Sequence, residues 1–105
     1  MEIFKELNKL GYKHYVDLTI EELDNLPINN IKRKIEHSLV IDWFREEHNI
    51  YIDISGRLID SKDKTFQWNV YGLFEEVPGE LYSGLDKDFN MARIQSIERA
   101  IELVK

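Results

Sequence analysis

The change of period at residue 49 constrains this chain more than any other feature. In "VIDWFREEHNIYIDI", residues 40–54, a helical pattern stops and a strict alternation of apolar and polar positions begins. Alternation places every second side chain on one face of a β-strand. It spans 50–59, where Ile50, Ile52, Ile54 and Leu58 share a face. It returns over 65–74, where Phe66, Trp68, Val70 and Phe74 share one. A sheet that is apolar on one face only is antiparallel and needs helices on its apolar side.

The flanking segments supply those helices. Residues 2–10 carry Ile3, Phe4, Leu7 and Leu10 on one side, and Gly11 stops that helix. "DLTIEELDNLP" reads as a capping box, with Thr19 as N-cap and Glu22 three positions on, ending before Pro27. A longer helix runs from about Asn30 to Glu47. Its apolar stripe is read as Ile31, Ile35, Leu39 and Trp43, with Val40 and Phe44 beside it. After the second strand, "VPGE" at 77–80 reads as a type II turn leading to a third strand near Leu81–Leu85. Asp88 caps a last helix from Phe89 to about Val104, whose buried side is Phe89, Ile94, Ile97, Ile101 and Val104. "DSKDK" at 60–64 is a polar loop, and Gly56 predicts a bulge in the first strand.

The expected fold is α+β. N-terminal helices, a three-stranded antiparallel meander and a C-terminal helix form a two-layer sandwich. Residues 1–105 make one domain, with a helical N-terminal extension at 1–29 and an α-β-β-β-α core at 30–105.

Composition narrows the function. The chain has no cysteine, which excludes disulfides and thiolate metal sites. The charged N-terminus "MEIFKELNKLGYK" is unlike a signal peptide, and the apolar runs are too short for a bilayer span. A cytoplasmic location without membrane contact is the expectation. The net charge of −6 argues against broad binding to a phosphate backbone.

Three clusters carry the candidate chemistry. In "REEHN", Glu46 and Glu47 point about 100° apart on a helix, so they do not face one substrate atom. His37 and His48 lie about 16 Å apart along the axis at about 1.5 Å per residue, so one metal cannot bridge them. No catalytic residue, metal site or cofactor is assigned. Lys32, Arg33 and Lys34 form the only consecutive basic cluster. They are the candidate nucleic-acid contacts, but they fan over some 200° of the helix. The odd-numbered positions of the meander are the candidate protein-binding surface: Tyr51, Asp53, Gln67, Asn69 and Tyr71. Tyrosine gives contact area at low entropic cost, and amides give directed hydrogen bonds.

From residue 30 onward the α-β-β-β-α order resembles the topology of double-stranded-RNA-binding domains. Those domains place a basic cluster at the start of the last helix, whereas "GLDKDFNMARIQ" places Asp86 and Asp88 there. "DWFREEHNIYIDI" and "DFNMARIQSIERAIELVK", within residues 40–105, resemble small phage and prophage α+β proteins for which no activity is established. That resemblance implies a non-enzymatic accessory protein of phage or mobile-element type that acts by protein binding, an inhibitor of a host defence system being one form. The alternatives are a nucleic-acid-binding domain and a self-associating structural module, the latter a homodimer joined through its sheet.

Overall fold

The computed structural model describes residues 2–58, 64–74 and 77–105. The element order is α1 (Ile3–Lys9), α2 (Ile20–Asn25), α3 (Ile31–His48), β1 (Ile50–Leu58), β2 (Lys64–Phe74), β3 (Val77–Asp86) and α4 (Phe89–Val104). The three strands form one antiparallel sheet in the order β1-β2-β3. The fold is therefore α+β, as the alternation requires. Of the polar loop expected at 60–64, Lys64 begins β2, and residues 60–63 lie outside the described residues, as do the side chains of Leu58 and Phe74.

The caps are those the residues dictate. Thr19 and Glu22 form a reciprocal capping box on α2. The side chains of Asn30 and Asp88 accept from the backbone N–H groups of Lys32 and Asn90 at the starts of α3 and α4. Each such cap is worth about 1 kcal/mol. Asn49 ends α3 in the left-handed conformation, at φ 53°, and the next residue enters β1. The α1 N-terminus is capped from outside its own segment. Asp24 of α2 accepts from Phe4 N at 2.8 Å and Lys5 N at 3.1 Å, tying the two short helices together.

The even-numbered face of the sheet carries α4. The Trp68 indole donates to Gln95 Oε1 at 3.0 Å, and Gln95 donates to Asp86 Oδ2 at 3.0 Å. Arg99 lies over the Tyr82 ring, 4.7 Å from its centroid. The indole also lies flat on Gly84, where an added Cβ would sit 2.5 Å from ring carbons, so only glycine fits. Ile3, Phe4 and Leu7 of α1 join Leu23, Val40, Phe44, Val70, Ile97 and Ile101 in one core. Each such side chain contributes roughly 1.5–3 kcal/mol on burial. The segment expected as an extension is thus part of that core.

Several local expectations are overturned. "VPGE" is not a turn: Val77, Pro78 and Gly79 pair with Phe74, Leu73 and Gly72 inside β3. β3 is an edge strand, where a proline is tolerated because one row of backbone groups has no ladder partner. Gly56 pairs in register with Phe66 and marks no bulge. The irregularity falls in the β2–β3 pairing between Val70 and Tyr71, where the partner jumps from Tyr82 to Glu80. Phe89 is exposed, while Ala92, Arg93, Ser96 and Ala100 complete the buried side of α4.

The largest correction concerns α3. Its buried residues are Arg33, Glu36, His37, Val40 and Phe44. Ile31 is 71% exposed and Ile35 is 53% exposed. The helix therefore turns a partly polar face inward and part of its apolar stripe outward.

Candidate functional site

The sheet register assembles the predicted binding residues. Tyr51 stands directly opposite Tyr71, Asp53 opposite Asn69, and Ser55 opposite Gln67. Because side chains alternate along each strand, all five predicted residues share the face turned away from α4. Tyr51 and Asp53 are exposed, and Gln67 and Tyr71 are half-buried. Asn69 is only 8% exposed, enclosed on the central strand by the residues flanking it. Gln67 donates to Asn69 Oδ1 at 3.2 Å, which orients both amides. Ser83 and Leu85 extend the face on β3, and Leu85 is exposed. The result is a small aromatic and amide surface with one carboxylate, suited to hydrogen-bonded recognition of a flat partner.

The basic cluster is not one surface. The Arg33 guanidinium is buried and donates through Nη1 to the backbone carbonyls of Leu26 at 2.6 Å and Asp24 at 3.3 Å. Burial lowers its pKa, and Asp24 opposes that effect. Lys32 is exposed and Lys34 half-buried. The arginine thus holds the α2–α3 connection, leaving the two lysines on the surface. Glu46 and Glu47 are exposed, and His48 packs edge-on to Trp43 with centroids 4.8 Å apart.

A buried polar cluster escaped the sequence reading. Glu36 has no exposed surface and accepts from the Tyr12 hydroxyl, from Tyr15 N at 2.6 Å and from Val16 N at 2.9 Å. Burial, reinforced by the hydrogen bond to Glu36, raises the Tyr12 pKa far beyond its usual range. His37, equally buried, stacks on Phe4 with ring centroids 5.5 Å apart. Its Nδ1 accepts from Arg93 Nε at 3.1 Å. Burial, with Arg93 and Arg33 nearby, pushes its pKa down from 6.5 to about 3, so the imidazole is neutral. Arg93 also donates to Asn90 Oδ1 at 3.0 Å. Glu36 and His37 are sealed from solvent, so they serve the fold: one pins the 12–16 segment to α3, the other joins α3 to α1 and α4.

Above this cluster a groove of about 390 Å³ opens to solvent. Tyr12, Lys13, Tyr15, Leu39 and Trp43 line it, and Asp42, Glu46 and Glu47 edge it. Tyr12 meets Trp43 edge-to-face at 5.5 Å. Among the described residues, no group of three or more His, Cys, Asp or Glu side chains is placed to hold a metal ion. Among them too, no helix is long and apolar enough to cross a membrane.

No protein-family model, no curated protein and no solved structure matches this chain.

Proposed function

We propose that the chain is a non-enzymatic accessory protein, of phage or mobile-element type, that acts by capturing a protein partner on the uncovered face of its sheet. One observation carries this reading. The described helices that pack on the sheet do so through its even-numbered side, and the other side presents Tyr51–Tyr71 and Asp53–Asn69 as direct cross-strand pairs. Rigid tyrosines beside fixed amides resemble the central contacts of many protein interfaces. The net charge of −6 favours a partner with a basic surface, such as a nucleic-acid-handling protein of a host defence system.

The test is capture of proteins from host-cell lysate by immobilised chain. A Tyr51→Ala/Tyr71→Ala variant should lose the captured partner while keeping its circular dichroism spectrum. Capture that survives the double substitution would move the site off this face.

A further inference from the structure

The N-terminal half of the outward face of α3, at Ile31 and Ile35, has no structural role in the fold just described, although the face is strongly patterned. Ile31, Ile35, Leu39 and Trp43 follow one another at intervals of four. Such a row forms a continuous ridge on a helix. At its N-terminal end Ile31 and Ile35 project into solvent. At its C-terminal end Leu39 and Trp43 sink into the groove walled by Tyr12 and Tyr15. The ridge is thus a projection at one end and a recess at the other. Its charges are polarised the same way. Lys32 and Lys34 flank the projection. Three carboxylates, Asp42, Glu46 and Glu47, edge the recess, against Lys13 in its lining and Arg45, which already pairs with Asp42 at 3.4 Å and with Glu46 at 3.8 Å.

A surface with a basic projection and an acidic recess is complementary to itself when reversed. We propose that two copies of this chain associate through α3, antiparallel about a two-fold axis near the level of His37. In that arrangement Ile31 of each copy enters the Tyr12–Tyr15–Leu39–Trp43 groove of the other. Ile35 meets the second copy's Leu39, and the basic end of each helix lies against the acidic end of the other. The interface is isologous, so each favourable contact occurs twice. The occupant is a second copy because shape and charge match along the same helix, in the same order. A single helix pair makes a small interface, which places the association in the weak, concentration-dependent range.

Sedimentation velocity from low-micromolar to millimolar concentration tests this. The wild-type chain should pass from monomer to dimer. Ile31→Asp should weaken the dimer by about tenfold or more. Ile31 is exposed, so the fold should survive. Two charge-reversed chains make the decisive comparison: Lys32→Glu/Lys34→Glu, and Asp42→Lys/Glu46→Lys. Each alone should remain monomeric, because its reversed end meets an end of like charge. Their equimolar mixture should recover a dimer containing one of each. A wild-type chain that stays monomeric at millimolar concentration overturns the proposal, as does a dimer untouched by Ile31→Asp, or a mixture that recovers nothing. Tyr51→Ala/Tyr71→Ala should leave the dimer unchanged, so failure here is separable from failure of partner capture.

Discussion

Glu36 and His37 are neighbours in the sequence, and both are fully buried, yet they are accommodated in different ways. The carboxylate is supplied with three donors. The imidazole is held neutral by burial and by the arginines beside it. Its folded-state pKa, about 3, lies below the unfolded value of 6.5. The unfolded chain therefore binds this proton first, and stability from His37 is complete above pH 6.5 and declines as pH falls towards 3. Between pH 6.5 and 5 the loss should be about 1.5 kcal/mol, since one pH unit is worth at most about 1.4 kcal/mol per proton. Urea midpoints measured across that window should show the decline. His37→Asn keeps an acceptor for Arg93 but cannot titrate. It should be less stable at neutral pH and nearly flat over the same interval, and an unchanged slope would assign the effect to another group.

At the scale of the element, α3 shows where pattern reading succeeds and where it stops. Its ends, caps and length follow from Asn30, Asn49 and the spacing of its apolar residues. So do β1 and β2, whose alternation is local, and the capping box of α2, whose partners lie three residues apart. Which face of α3 turns inward does not follow. The row Arg33, Glu36, His37, Val40, Phe44 has core spacing, but its first three members are polar. What makes them buriable is supplied by distant segments: Tyr12, the backbone at 15–16, the α2–α3 connection and Arg93. Local periodicity carries no trace of those partners, so the competing apolar row at Ile31 is the one it selects. The predicted sheet residues were legible because strand alternation alone determines their face. Replacing Glu36 should expose the dependence. Glu36→Leu leaves the buried Tyr12 hydroxyl and two part-buried backbone N–H groups without their acceptor and should cost about 3 kcal/mol or more. Glu36→Gln keeps an acceptor for the backbone pair and should cost less than half of that. Thermal or urea unfolding of the two variants measures the difference, and equal losses would mean that volume, not hydrogen bonding, holds the 12–16 segment.

The whole molecule is a slab. It measures 41 × 37 × 18 Å, with a radius of gyration of 14.1 Å. A compact chain of this length has a radius near 13 Å. Its accessible surface of 6745 Å² exceeds the roughly 6200 Å² expected for a monomer of 12.5 kDa. A flattened two-layer fold leaves two broad sides, and here both carry aromatic or apolar groups: the sheet face with its tyrosines on one, the α3 ridge and Tyr15, 77% exposed, towards the other. Pairing through α3 leaves both sheet faces free, so a dimer would offer two partner-binding surfaces and gain avidity towards a clustered or symmetric target.

The two tryptophans divide this molecule optically. Trp68 is buried and hydrogen-bonded beneath α4, whereas Trp43 is half-buried and lines an open groove beside Phe44. Their indoles should emit at different wavelengths, the buried one further to the blue. In a Trp68→Phe variant the remaining emission comes from Trp43 alone. It should shift to the blue as concentration rises and the groove fills, while the wild-type signal is diluted by its silent partner. Dimerisation without that shift would place the contact away from the groove. The chain thus carries, in its own fluorescence, one reporter of unfolding and a separate reporter of whether a neighbour has arrived.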